Sequence, residues 1–320
     1  MVLALPKKIK RDSIIEGTYM KLTILGCHSA SPRYNSNPTA QVLEVKGHLF
    51  LIDCGEGTQV QLRRFKVKFS RIRHVFISHL HGDHFFGLVG LISTFRLLGR
   101  EAELHVYGPK GIKEAITLQL KLGKSWTNYS LIFHELEGKE SQLIYEDDKI
   151  TIQTIPLRHR IYCNGFLFKE KLGDRKLNID AALKANVSMS YYTKIKQGSD
   201  VENEDGVLIS NSALSLDPDV PKSYAFCSDT AYHPEIIDQI KNTTLLYHES
   251  TFLSEHEELA EKTKHSTAKQ AAQIAKKAAV GTLLIGHYSG RYGNHEVFKK
   301  EAQQVFSNVE LAMDGKSIEF

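Results

Sequence analysis

Six consecutive residues, His79-Leu80-His81-Gly82-Asp83-His84, supply three imidazoles and one carboxylate. Nitrogen and oxygen donors of this kind bind borderline divalent ions such as zinc at roughly 2.0–2.2 Å. In an extended segment His79 and His81 point to one side, while Asp83 and His84 turn toward a second ion as a helix begins. The pattern points to a dinuclear centre and metal-assisted hydrolysis. A competing reading makes these surface histidines, with Asp83 capping the adjacent helix, but it leaves the density of ligating groups without a cause. Two ions need more donors than one loop carries. His159 follows Ile155-Pro156-Leu157, Asp229 follows Phe226-Cys227-Ser228, and His287 follows Leu284-Ile285-Gly286. Each stands just after a strand-like run, although each alone reads as an ordinary polar loop residue.

Such residues need strands and helices to position them. Met20–Leu25 reads as a strand, followed by a loop over 26–39 crowded with Ser, Pro, Asn and Gly. Ala40–Val45 and His48–Ile52 read as a hairpin around Lys46-Gly47. A helix is expected over Thr58–Phe65, a short strand over Val75–Ser78, and a second helix over Phe85–Leu98 with Gly99 as its stop. The metal-binding run thus falls on a strand-to-helix loop. Further strands are expected at Leu104–Tyr107, Ile150–Ile155, Gly165–Phe168, Tyr224–Cys227, Leu245–His248 and Leu283–Ile285, and helices at Ser266–Ala279 and His295–Phe306. Interleaved strands and helices indicate α/β layering. Lys169–Leu216, rich in charged and small residues, reads as an insertion projecting from the core. Residues 1–19 read as an N-terminal extension.

With 320 residues, 42% hydrophobic and 24% charged, the chain has the composition of an ordinary globular protein with a substantial core. A formal net charge of +4 is too mild to demand a nucleic-acid or membrane partner, so partners must be argued from local patches. Cys27, Cys54, Cys163 and Cys227 are widely spaced without a C-x-x-C pair and read as reduced, mostly buried thiols. The N-terminus carries Lys7, Lys8, Lys10 and Arg11 but lacks the long apolar segment of a signal peptide. No run approaches the roughly 18 apolar residues of a membrane span. A cytoplasmic location is expected, with no membrane partner.

The run from His79 resembles the H-x-H-x-D-H signature of the metallo-β-lactamase superfamily, and the order His159, Asp229, His287 resembles its remaining ligand motifs. This resemblance implies an α/β fold, the αβ/βα four-layer sandwich, over residues 20–320. It also implies two Zn2+ per subunit. One would take His79, His81 and His159, the other Asp83, His84 and His287, with Asp229 bridging them. Asp53 resembles the superfamily's aspartate that orients a ligand from behind. Within the superfamily the chain resembles the ribonuclease Z family from Met20 to near its C-terminus. The motifs that carry this are Asp53-Cys54-Gly55-Glu56-Gly57-Thr58-Gln59, Ser78 to His84, Val106-Tyr107-Gly108-Pro109-Lys110-Gly111-Ile112, Ser228-Asp229-Thr230, His248-Glu249-Ser250-Thr251-Phe252 and His265-Ser266-Thr267.

The resemblance implies a zinc-dependent endoribonuclease that removes the 3′ trailer from precursor tRNA by phosphodiester hydrolysis, leaving a 3′-hydroxyl on the tRNA. Asp83 would be the general base, and Glu249 with His265 would deliver a proton to the leaving oxygen. The alternative for that last pair is a buried ion pair holding a loop. The segment Ser31 to Thr39 resembles the family's substrate-contacting loop but departs from its usual Arg-Asn form. The insertion at 169–216 falls where the family carries a protruding tRNA-binding arm. Tyr192 to Gly198 resembles the arm's return strand, and Met189-Ser190-Tyr191 stands where a Gly-Pro pair is usual. Lys169, Lys171, Arg175, Lys176, Lys184, Lys194 and Lys196 make the insertion locally basic, suited to phosphate contacts that do not read sequence. A second basic run, Arg63, Arg64, Lys66, Lys68, Arg71 and Arg73, reads equally well as a solvated face. A homodimer is also implied. The rival readings are another hydrolase of the same fold, such as an arylsulfatase or cyclic phosphodiesterase, because fold and metals do not fix the substrate, and a non-catalytic nucleic-acid binder.

Overall fold

The computed structural model describes residues 20–31 and 33–320; Pro32 and the extension expected over 1–19 lie outside them. Six strands are laid down in spatial order, β1 (Lys21–Gly26), β2 (Ala40–Val45), β3 (His48–Ile52), β4 (His74–Phe76), β5 (Leu104–Pro109) and β6 (Leu131–Leu136). The C-terminal strand β18 (Ser317–Glu319) joins beside β1. The β2–β3 hairpin turns through Lys46 and Gly47, whose φ values of 48° and 86° give the twist that a two-residue turn requires. From β3 onward the strands run parallel, so their C-terminal ends share one edge.

The second seven-stranded sheet has the order β17 (Val309–Leu311), β16 (Thr282–Gly286), β15 (Leu245–Glu249), β14 (Ser223–Cys227), β9 (Asn164–Glu170), β8 (Ile150–Pro156) and β7 (Leu143–Glu146). β14, β15 and β16 are parallel and in close register, with Cys227 opposite His248 and Glu249 opposite Gly286.

Strand side chains alternate between faces, and the strands of the first sheet sort accordingly. Leu22, Ile24, Phe50, Ile52 and Phe76 enter one core with residues of the second sheet, while Val42, Leu49, Leu51, Val75 and Ile77 enter another. Between the sheets, Phe76 meets Phe166 and Phe168 edge-on at ring separations of 5.4 and 5.5 Å. On the outer face of the first sheet lie α1 (Thr58–Arg64), α2 (Gly82–Leu97) and α3 (Ile112–Leu122), with Leu88, Leu91, Ile92 and Ile116 packed inward. After α7 (Glu257–Thr263), α8 (Ala268–Lys277) and α9 (Glu296–Gln303) pack along β15 to β17. The result is the helix–sheet–sheet–helix layering expected from the sequence. No helix among the described residues is long and apolar enough to cross a membrane.

The insertion contains β10 (Lys176–Leu177), α4 (Ile179–Lys184), α5 (Tyr192–Lys196), β11 (Val201–Glu202), β12 (Leu208–Ile209), α6 (Asn211–Leu214) and β13 (Ser215–Leu216). These elements pack on one another around Ala182, Val187, Ile195, Val201 and Leu214. One expectation is corrected here: Tyr192 to Gly198 is a helix and its stop, not a returning strand. Ile195 is the buried residue of this single turn, Gly198 closes it at φ 90°, and Asn211 Nδ2 donates to the Ile195 and Ser199 carbonyls at 2.7 and 3.1 Å.

Candidate metal centre

The C-terminal ends of β3, β4, β14, β15 and β16 converge on one place, and each donates chemistry there as the strand stops. Asp53, Asp229 and His287 follow β3, β14 and β16 and have φ values of 55°, 60° and 61°. Non-glycine residues rarely hold this left-handed backbone, which costs of order 1–3 kcal/mol each and persists where the surroundings over-determine it. The fold therefore spends stability to turn these three side chains into the site.

His79 and His81 lie on the loop after β4. Asp83 and His84 sit in the first turn of α2, which starts at Gly82, three residues earlier than periodicity indicated. Asp83 makes no capping hydrogen bond. The start of α2 is pressed against the loop after β3: Cys54 N–H donates to the His84 carbonyl at 2.8 Å and Gly87 N–H to the Cys54 carbonyl at 2.9 Å. A Cβ on Gly87 would stand 2.0 Å from the Gly55 oxygen, so only glycine permits this approach.

Two donor groups result. His79, His81, His159 and Asp229 form one, and Asp83, His84 and His287 the other, with donor atoms in each within 4.8 Å of one another. In the first, His79 Nε2 is 2.9 Å and His159 Nε2 3.2 Å from His81 Nδ1, and both Nε2 atoms face Asp229 Oδ2 at 3.6 and 3.7 Å. In the second, Asp83 Oδ2 lies 3.3 Å from His84 Nε2 and 3.5 Å from His287 Nε2. The other oxygen of Asp229 lies 3.2 and 3.1 Å from those same two nitrogens. Asp229 thus offers one oxygen to each group.

The far sides of the His84, His159 and His287 rings are tied down. Asp53 accepts from Ser78 N–H at 2.8 Å and Ser78 Oγ–H at 2.9 Å, and meets His84 Nδ1 at 2.7 Å. His159 Nδ1–H donates to the Lys264 carbonyl at 2.9 Å, and His287 Nδ1 pairs with the Thr251 hydroxyl at 2.8 Å. Fixing Nδ1 in this way sends the Nε2 lone pair inward.

Electrostatics show that the site is built for cations. Asp53, Asp83, Asp229 and Glu249 are all buried, and the ion-pair partners found for them among the described residues are histidines. Buried carboxylates require a compensating positive charge. Without a cation, His84 must supply it: burial opposes its charge, yet Asp229, Asp83 and Asp53 hold its pKa well above normal. Burial likewise opposes ionisation of Asp229, but the charges of His287 and His84 hold it far below the usual carboxylate range. Burial lowers the pKa of His79, His81 and His159, keeping them neutral as ligation requires. His84 Nε2 and His287 Nε2 are buried and face the Asp229 and Asp83 oxygens at 3.1–3.5 Å. These convergent nitrogens and the shared carboxylate fit two divalent ions.

Beside this centre, Glu249 ends β15 fully buried. Its carboxylate accepts from Thr230 N–H at 3.0 Å, Thr251 N–H at 2.9 Å and Thr251 Oγ–H at 2.7 Å, and meets His265 Nδ1 at 2.7 Å. Burial disfavours the His265 charge, but the Glu249 carboxylate and its hydrogen bond raise the pKa to about 9. His81, Asp83, Asp229, His265 and His287 line one cleft of about 410 Å³. Sequence reasoning missed three contributors. Arg160 stands exposed on the cleft wall beside His159, with its charge felt at both His81 and His265. Thr251 braces Glu249 and His287 together, and Ser78 links Asp53 to the metal-binding run. Ser78 and Thr251 stood inside motifs that carry the family resemblance without a role of their own, and Arg160 gave the signal of a cation next to a candidate ligand.

The chain is 47% identical to Ribonuclease Z of Bacteroides fragilis strain YCH46 over 298 residues, covering 93% of this chain and 98% of that protein. It is equally similar to Ribonuclease Z of Bacteroides thetaiotaomicron, at 47% identity with 93% and 94% covered. The crystal structure of the short form of human tRNase Z superposes with a TM-score of 0.68 at 26% identity, covering 93% of this chain and 98% of that one. The sequence profile of the family described as Anti-Pycsar protein Apyc1 matches residues 20–173, under half of the chain.

Proposed function

The chain belongs to the ribonuclease Z family, and we propose that it is a zinc-dependent endoribonuclease, with two ions per subunit, that removes 3′ trailers from precursor tRNA. The observation that carries this reading is the dinuclear donor set with Asp229 between its halves, joined to the Glu249–His265 pair in one cleft. His79, His81 and His159 would hold one ion, Asp83, His84 and His287 the other, and Asp229 both. Bound there, the ions supply Lewis-acid charge for the phosphodiester and activation of water.

The chain's own groups do the rest. Asp83 keeps a charged carboxylate on the cleft floor, because His84 and His287 outweigh the effect of burial, and it takes the proton of the attacking water. His265 donates through Nδ1 to Glu249, which leaves the proton on Nε2 for the departing 3′ oxygen. Arg160, on the wall of the cleft, offsets phosphate charge as the strand enters. The product is a tRNA with a 3′-hydroxyl.

The insertion at 169–216 serves as the tRNA-binding arm on a single domain spanning 20–320. Lys184, Lys194 and Lys196 are exposed there and can neutralise backbone phosphates. We read the working form as a cytoplasmic homodimer. Leu97, Leu98, Leu118, Leu122 and Trp126, exposed where α2 and α3 end, offer an apolar face for the second copy; light scattering after size exclusion tests this. For the activity, Asp83→Ala is the test: it should abolish cleavage of a trailer-bearing precursor tRNA, as should a chelator. Normal turnover by that variant would overturn the assignment.

A further inference from the structure

We propose that Cys27, His28 and Asp314 form an additional metal site, of the kind that takes zinc or cobalt through one thiolate, one imidazole and one carboxylate. It shares no ligand with the catalytic centre. Cys27 and His28 follow β1, and Asp314 lies in the turn between β17 and β18, so an ion here would tie the loop after β1 to the turn by which the chain crosses from the second sheet to the first. One donor atom from each residue lies within 4.8 Å of the others. Cys27 Sγ stands 3.5 Å from Asp314 Oδ1. With metal–sulfur and metal–oxygen bonds of about 2.3 and 2.0 Å, a tetrahedral ion separates its sulfur and oxygen ligands by roughly 3.5 Å.

The carboxylate is already aimed. Asn37 donates to Asp314 Oδ2 through its backbone N–H at 3.0 Å and its Nδ2 at 2.8 Å, which leaves Oδ1 toward the thiol. His28 supplies the independent observation. The residue as a whole is only 8% exposed, and its Nδ1 is buried with no hydrogen-bond partner among the described residues. A buried imidazole nitrogen left unmatched is costly unless something binds it. A divalent ion would satisfy that nitrogen and would replace the proton that Cys27 now shares with Asp314, the thiol proton passing to solvent.

The site would act on the catalytic cleft through the backbone. The Cys27 carbonyl accepts from His287 N–H at 2.7 Å and Tyr288 N–H at 3.3 Å, and the residues after His28, Ser29 to Ser31, line the cleft wall. An ion on Cys27 and His28 would fix both. The role is positional: a brace behind His287 and at the base of the loop that meets RNA.

Cobalt distinguishes this site from the catalytic one, because sulfur-to-cobalt charge transfer gives a near-ultraviolet band that imidazole and carboxylate ligands do not. The full chain, stripped by chelation and titrated with Co2+, should bind one equivalent beyond those of the catalytic centre and develop that band. Cys27→Ser should remove the band and the extra equivalent while the visible bands of the catalytic ions persist. His79→Ala should do the reverse. If Cys27→Ser fails to fold, His28→Asn leaves the thiol in place and should weaken cobalt binding there by tenfold or more. Absence of a sulfur band in the wild type, its survival in Cys27→Ser, or unchanged affinity in His28→Asn would each overturn the proposal.

Discussion

Replacing Glu249 by glutamine keeps the volume but turns one of the two oxygens that accept from Thr230 and Thr251 into a donor, and it removes the charge that holds a proton on His265. The rise of His265 from 6.5 to about 9 corresponds to roughly 3 kcal/mol at about 1.4 kcal/mol per pH unit. It arises against the effect of burial, so without the carboxylate the pKa should fall to 6.5 or below. At pH 7.5 His265 would then be protonated in no more than about one molecule in ten. Charge state alone therefore lowers the rate at least ~10-fold, and loss of the whole general-acid contribution would lower it by ~10²–10⁴. Single-turnover cleavage of a precursor tRNA between pH 6 and 10 reads this directly. The wild-type rate should fall as pH rises through about 9, and in Glu249→Gln the same decline should begin below pH 7. Stability has a matching sign. A raised histidine pKa contributes fully below 6.5 and is lost as pH rises through about 9, so urea midpoints of the metal-free wild type should decline over that window more steeply than those of Glu249→Gln. An alkaline limb that stays near pH 9 in the variant would refute a catalytic role for the pair and leave it an ion pair that holds a loop.

Asp229→Asn should abolish cleavage and lower bound metal below one equivalent by elemental analysis, since asparagine tolerates the left-handed backbone at φ 60° yet supplies only one good donor oxygen. Asp53→Ala frees the Nδ1 side of His84 and should weaken metal binding by ~10–100-fold in competition with a chelating dye. Lys176 and Leu216 are paired across β10 and β13, so residues 177–215 can be replaced by a short Gly-Ser turn. That deletion should raise KM for precursor tRNA and flatten its salt dependence, while hydrolysis of a small aryl phosphodiester stays within about twofold.

The candidate ligand set was legible because metal chemistry demands a narrow choice of residues at strand ends; Asp229 and His287 each follow an apolar run that is buried on both faces, and His159 follows β8, whose residues alternate between buried and half-exposed. The same burial blurred other boundaries. α2 begins at Gly82 because its first turn packs on Cys54 and Gly55, a tertiary contact that no local periodicity encodes. β6 and β7 border the sheets with half-exposed side chains, so they lack the continuous apolar run that marks β3 or β16. α7 is one short helix whose single buried residue is Ala260, too little to register as amphipathic. Within the insertion, Ile195 anchors a helix of five residues, where the family resemblance implies a return strand. The bracing of Asp53 by Ser78, of His287 by Thr251 and of His159 by the Lys264 carbonyl depends on folding, since the partners lie 25, 36 and 105 residues apart; that of Glu249 by Thr251, two residues on, is local.

We propose that this cleft, with its two candidate metal-binding groups, acts on tRNA 3′ ends rather than on another ester that the same fold could cleave. The direct test offers the purified protein, with and without chelator, a trailer-bearing precursor tRNA alongside a cyclic nucleotide and an aryl sulfate. The expected result is chelator-sensitive cleavage of the precursor alone, leaving a 3′-hydroxyl on the tRNA. Hydrolysis of the cyclic nucleotide or the sulfate with the precursor left intact would contradict the account.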